Sequence, residues 1–202
     1  RHLLQVLAQE GFAATHIAPP EGIKKSAFFE ALNSRGLEQM VQVYENLQKQ
    51  ATAKLPLAKE FSDLGDLVSV DGTLIDATLS MVWADYRDGA KKAKVHLGFD
   101  IGRGIPQKLT LTAGKADERP QVDYLVAPGQ TAVMDRYYQC YKNFDDWQAQ
   151  ERHFVCRIKA SSRKTVLREN PVTDGSQVFF DAITRLGTEG SNQTERDVRV
   201  VG

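Results

Sequence analysis

Composition says little about what this 202-residue chain does, because it lacks most of the usual markers. It has two cysteines, Cys140 and Cys156, and neither their number nor their spacing suits a zinc site or a disulfide framework. Both are expected as free thiols in a reducing compartment, with Cys156 a small core residue on a strand. No apolar run approaches the roughly 20 residues that cross a bilayer, and the start carries no signal-peptide pattern. The expectation is therefore no membrane and a cytoplasmic location. Net charge is missing too, with 26 Lys and Arg against 26 Asp and Glu, so no global field marks a polyanionic partner. The chain starts at Arg1 without a methionine and stops after a strand-like "DVRVV", and both ends look cut from something longer.

What is present is an ordinary globular composition, 42% hydrophobic and 26% charged, in a length that buries one substantial core with room for an appendage. Charge is local. Residues 85–94, "DYRDGAKKAK", hold four basic and two acidic side chains; residues 151–169 hold six and two. The first part reads as helix: Ser26 is a cap candidate for "SAFFEALNSR", and Gly36 interrupts. Leu37, Met40, Val41, Tyr44 and Leu47 then recur at helical spacing, a pattern expected to be a packing face.

From residue 66 the rhythm becomes that of strands. "LVSVD", "AKVHLGFDI" and "QKLTLTAG" are three in succession, with Val95, Leu97 and Phe99 alternating against His96 and Gly98. "ERPQVDYLV" is a short helix, "TAVMD" a fourth strand, "FDDWQAQE" a helix and "HFVCRIK" a fifth strand. "RENPVTDGSQ" is a loop, and "VFFDAITRLG" with "ERDVRVV" is hairpin material. Three closely joined strands predict an antiparallel meander, and the later strand-helix-strand a parallel crossover. The expected fold class is α/β, a mixed five-stranded sheet with flanking helices.

Two strands run into aspartates: "TAVMDRYYQCYKNF" at Asp135 and "DLVSVDGTLIDAT" at Asp71. Strand-terminal acids from distant segments can meet at one edge of a sheet. Like charges raise each other's pKa unless something positive lies between them, and hard carboxylate oxygens suit Mg2+ or Mn2+. Asp100, Asp117 and Glu118 also lie near strand ends, where capping and turn roles suffice. His96, between apolar neighbours, reads as structural. Packing is favoured over base stacking for Tyr137, Tyr138 and Tyr141.

The order of strands and helices, with one aspartate in the first strand and one after the fourth, resembles the ribonuclease H-like core. Within that superfamily, "SVDGTLID", "WADYRDGAKKAKVHLGFD", "LTAGKADER", "VMDRYYQCYKNF" and "HFVCRIK" are similar, in that order, to the blocks of bacterial insertion-sequence DDE transposases with a Tyr-Arg-Glu-Lys signature. "FFEALNSRGLEQMVQVYENL" is similar to the segment before that family's core, so the resemblance spans roughly residues 24–190. It implies a helical segment at 1–65, an incomplete catalytic core at 66–160 and the start of a β-rich insertion at 161–202. It also implies Asp71 and Asp135 as catalytic metal ligands for two Mg2+ or Mn2+ ions, and metal-dependent strand cleavage and transfer on transposon-end and target DNA. A homodimer is possible in the full-length protein.

This sequence departs from the family at two places. Tyr137 stands where the second acidic block usually has glycine. The third carboxylate, a glutamate in the spacing Tyr-x-x-Arg-x-x-x-Glu, follows none of the six tyrosines, so the chain is expected to end before it and to be inactive alone. The two basic clusters predict phosphate contacts from Arg87, Lys91, Lys92, Lys94, Arg157 and Lys159, and Arg136, next to Asp135, is a further one. Two other readings compete. One is a truncated, non-catalytic DNA-binding regulator of transposition. The other is a haloacid dehalogenase-type phosphatase, whose Asp-x-Asp-Gly-Thr-Leu motif "VDGTL" half matches, with Ser69 in place of the nucleophile.

Overall fold

The computed structural model describes residues 23–34, 38–77, 82–87 and 89–202, the side chains of residues 32, 33, 86 and 87 excepted. The chain divides into two compact units, Arg1–Ala51 and Thr52–Gly202. In the first, helix α1 (Lys25–Ser34) begins one residue before the expected cap, since the Phe28 N–H already donates to the Lys24 carbonyl at 3.0 Å. Ser26 therefore lies inside the first turn. The expected break at Gly36 falls outside the described residues. Helix α2 (Glu38–Lys54) places Glu38 in its first turn and Lys54 in its last, where each charge complements the helix dipole. None of its residues is buried, Met40, Val41, Tyr44 and Leu47 of the expected packing face among them, and Leu37 falls outside the described residues.

The second unit is built on a mixed sheet of β1 (Leu67–Asp76), β2 (Asp85–Arg87), β3 (Ala90–Asp100), β4 (Ile105–Ala113), β5 (Thr131–Met134) and β6 (His153–Cys156). The main order is β4-β3-β1-β5-β6, with the short β2 also pairing β3, at its first residues. β3 is antiparallel to both β1 and β4, whereas β5 runs parallel to β1 and to β6. Parallel neighbours need a crossover, and helices supply both. Helix α3 (Val122–Leu125) precedes β5, and helix α4 (Tyr141–Ala149) joins β5 to β6. The α/β class and the five-stranded mixed sheet expected from the sequence are present, in the ribonuclease H-like order. A phosphatase of the haloacid dehalogenase type would follow its first strand with a helix and a parallel neighbour, and β1 has an antiparallel partner instead.

Packing follows the alternation of β1 and β5. Val68, Val70, Ala132 and Met134 point to one face, against Val122, Leu125, Phe144 and Trp147 of the helices. Burying each large apolar side chain contributes about 1.5–3 kcal/mol. Phe144 also stacks on Phe154 of β6 with ring centroids 4.4 Å apart. β3 reverses the expected alternation. His96 and Gly98 are buried, whereas Val95, Leu97 and Phe99 are only half-buried. The reason is close approach: a Cβ on Gly98 would stand 3.2 Å from the Leu125 carbonyl and 3.3 Å from Val68, so only glycine lets α3 lie so near the strand.

A second, antiparallel sheet, β7-β8-β9, consists of β7 (Lys164–Glu169), β8 (Asp181–Leu186) and β9 (Val198–Val201). β8 and β9 match the hairpin material read from the sequence; β7, inside the basic cluster, adds a third strand to that hairpin. Leu186 and Val198 join the main core. Asp145 of α4 fastens the approach to β9, accepting from the Glu195 and Arg196 N–H groups at 2.9 and 2.8 Å. Among the described residues no helix is long and apolar enough to cross a membrane.

Candidate functional site

Asp71 does not end its strand as expected. β1 continues to Asp76 along β3; what stops short is the parallel neighbour on its other side. β5 pairs with β1 only at Leu67↔Thr131, Val68↔Ala132 and Ser69↔Val133, and it ends at Met134. Carrying that register on by two residues brings Asp71 opposite Asp135, on chain paths that run about 4.7–4.9 Å apart where they pair. Both follow the face of Ser69 and Val133, opposite the buried valines, and both are exposed.

Each aspartate is aimed by a backbone donor. The Gly72 N–H donates to Asp71 Oδ1 at 2.8 Å, and the Tyr137 N–H donates to Asp135 Oδ1 at 2.8 Å. The second bond makes Asp135 the cap of a 3-10 turn, Arg136–Tyr138. Tyr137 has no positive φ, so this turn does not demand the glycine found there in the family's usual block. Among the described residues neither aspartate has a Lys or Arg partner.

The other expected residues divide. Arg136 is exposed beside Asp135. Arg157 is exposed and level with Asp135 on the far side, because Met134 pairs with Cys156 and the Arg157 N–H donates to the Met134 carbonyl at 3.2 Å. Lys159 is exposed and lines, with Arg163, a depression of about 480 Å³. Lys92 pairs with Asp76. Lys91 is half-buried, and the Arg87 side chain lies outside those described.

Lys94 is a correction. It is 5% exposed, with its ammonium 2.8 Å from Glu118 and donating to the Ala116 carbonyl at 3.0 Å. It faces the core side of the sheet, with Leu74 of β1 as its register partner, and has no open path to a phosphate.

Glu118 is the residue that sequence reasoning missed. Asp100 and Asp117 do hold turns, through Arg103 at 2.9 Å and Arg119 at 2.7 Å. Glu118 instead reaches back over β1: a Cβ on Gly72 would stand 2.6 Å from its Oε2. The buried Tyr138 hydroxyl donates to the same oxygen at 3.2 Å. Burial, then Glu118 and more weakly Asp71 and Asp135, push the Tyr138 phenol well above its ordinary pKa, so it stays a donor. His96, level with Gly72, is held below its usual pKa chiefly by burial and meets Thr112 Oγ1 through Nε2 at 2.7 Å. Burial, helped by Asp135, also pushes the Cys156 thiol up to about 12, and both cysteines are free.

The resemblance implies divalent ions. Asp71 and Asp135 offer the hard oxygen donors that Mg2+ or Mn2+ prefer. Among the described residues no group of three or more His, Cys, Asp or Glu is placed to hold an ion.

A mixed sheet with an exposed aspartate on β1, another just after β5 and exposed arginines to one side defines an α/β protein. The family is explicit: residues 63–197 match the transposase DDE domain, well over half of the chain, and the chain belongs to that family. Among solved structures the chain is matched to the piggyBac transposase in a synaptic complex with hairpin DNA, seen by cryo-electron microscopy, with 11% identity and a TM-score of 0.37. The match covers 68% of this chain and 33% of that one, so the chain spans about a third of that protein's length. No curated protein matches the chain.

Proposed function

We propose that this chain carries most of the catalytic core of a bacterial insertion-sequence transposase of the Tyr-Arg-Glu-Lys group, cutting and joining DNA at the element's ends. What supports the reading is that the β1–β5 register, carried two residues past Ser69↔Val133, brings Asp71 opposite Asp135, inside the stretch that matches the family. Asp71 and Asp135 are the residues to hold Mg2+ or Mn2+. Such ions activate the attacking water or 3′-hydroxyl and neutralise the leaving oxygen. One oxygen of each carboxylate is already engaged by a backbone N–H, which leaves the outer lone pairs free and fixes where they point. Arg136, Arg157 and Lys159 are cations for phosphates on that side, giving affinity without reading sequence. Among the described residues no third carboxylate joins these two.

The test uses the full-length transposase with DNA bearing the element's ends and Mg2+ or Mn2+. Asp71→Asn and Asp135→Asn each keep the shape and lose the charge that holds an ion, so each should abolish cleavage and leave DNA binding intact. Cleavage within a few-fold of wild type by either variant contradicts the proposal. So does nicking by the 202-residue chain alone that Asp135→Asn removes, because the third ligand would then lie inside it.

A further inference from the structure

The Glu118 cluster has no part in that chemistry, yet it touches both segments that carry the aspartates. Its carboxylate lies against the β1 backbone at Gly72, the residue whose N–H aims Asp71. Its other contact, Tyr138, ends the short turn whose Tyr137 N–H aims Asp135. Lys94, from β3, fixes Glu118 in place and is itself fixed by the Ala116 carbonyl. Glu118 and Tyr138 come from segments twenty residues apart, and Lys94 from a third. We propose that Glu118, held by Lys94, is a positioning residue that clamps Gly72 and Tyr138 together and so sets the spacing of Asp71 and Asp135 from behind the sheet. The inference rests on the proposed role of those two aspartates, to which it adds the device that keeps them level.

The physical argument is one of stiffness. Two carboxylates drift apart unless their backbones are tied, because β5 ends just past its last pairing with β1 and no ladder bond joins the strands at Asp71. A charged acceptor shared by a phenol and an ammonium is a strong tie. With the Lys94 and Glu118 side chains only 7% and 14% exposed, it is weakly screened by water. Gly72 belongs to the same device, since any side chain there would displace the Glu118 carboxylate.

Two substitutions loosen the clamp while both charges of the Lys94–Glu118 pair stay in the chain. Tyr138→Phe removes only the hydroxyl. Gly72→Ala places a methyl where Glu118 lies, at a position that has no positive φ and so suits alanine. Hydrogen exchange of the 202-residue chain, read amide by amide by NMR, then reports the tie directly, with no metal present. Exchange at the Gly72 and Tyr137 amides should speed about five- to thirtyfold in each variant, the loss of one or two kcal/mol of local restraint. Protection on β4 and in the second sheet should not move. Uniform acceleration across the unit would mean that the cluster merely stabilises the fold, and unchanged Gly72 and Tyr137 amides would mean that it ties nothing; either overturns the proposal.

A second arm separates this inference from the reading beneath it. Water-proton relaxation with Mn2+ alone should show weak binding that Asp71→Asn and Asp135→Asn remove and that Tyr138→Phe weakens several-fold at a temperature where that variant is fully folded. Mn2+ binding that persists in both asparagine variants, or is absent from the wild-type chain, counts against the two aspartates as the metal site. Binding lost in those variants but unaltered in Tyr138→Phe and Gly72→Ala leaves that site standing and rejects the clamp.

Discussion

Asp181 in the second sheet and Asp71 in the first are both aspartates on paired strands, but only Asp181 has a cation of its own. Arg199 donates to Asp181 at 2.9 and 2.6 Å, and Asn170 donates at 2.8 Å. The guanidinium first, then the amide, pull the Asp181 carboxyl down to about 2. Asp71 and Asp135 each have one backbone donor and no cation among the described residues. Where an acid serves the fold, the sequence supplies its counterion from within the chain. The exposed Asp71 and Asp135 are left without one, open to water and to a cation from solution.

Glu118 is the strongest case of a matched acid, and removing its charge sharpens the contrast most. Glu118→Gln leaves the Lys94 ammonium buried and unpaired, which costs about 3–5 kcal/mol. Denaturant unfolding should show that loss, while Asp71→Asn should change stability far less because its carboxylate is exposed and unpaired. Equal losses for the two would break the distinction between matched and bare acids.

The next effect concerns Cys156, whose thiol donates to the Asp135 carbonyl at 3.2 Å. With its pKa at about 12 against an ordinary 9, its thiolate is about a thousandfold scarcer at pH 8. Alkylation followed by mass spectrometry should find Cys156 slow in the folded chain and fast once denatured. Labelling at the denatured rate would show that the strand end beside Asp135 is open to water.

DNA affinity gives a third comparison. Arg136→Ala, Arg157→Ala and Lys159→Ala together should lower the salt slope of binding by up to about three, near 0.9 for each phosphate no longer neutralised. Lys94→Met, on the buried side, should leave the slope unchanged. A slope that responds to Lys94 and not to the three exposed cations would reverse the two sides of the sheet.

The smallest effect is on Asp181 itself. Its folded carboxyl titrates at about 2 and its unfolded one near 3.8, so the unfolded chain takes up the proton first as pH falls. The stabilisation is complete above about pH 4 and disappears towards pH 2. Asp181→Asn should flatten the stability profile across that window only. The Arg199 side chain is 63% exposed, so the change is modest.

These contrasts also explain what could be read from the sequence. The strand order was legible because alternation and turns are local signals. The row of Asp71 and Asp135 was half legible: the two acids stood out after apolar runs, but β1 runs on past Asp71 because β3 pairs with it as far as Asp76. The inward face of β3 was misread because hydrophobicity favoured Val95, Leu97 and Phe99, whereas Gly98 faces α3 and Lys94 is neutralised by Glu118. Glu118 looked like one more turn acid, since its partners Gly72, Lys94 and Tyr138 come from three other segments. A signal was nonetheless present. Glycines at 72 and 98 inside strands mark close approach of other groups, and following Gly72 leads to Glu118.

The central claim is that Asp71 and Asp135 form one metal site, and anomalous diffraction from crystals soaked in MnCl2 tests it most directly. The account predicts a manganese peak within about 2.0–2.3 Å of a carboxylate oxygen from each of Asp71 and Asp135. Manganese bound only at other carboxylates, with the Asp71 and Asp135 oxygens more than about 10 Å apart when a two-ion site spans about 4 Å, would contradict it.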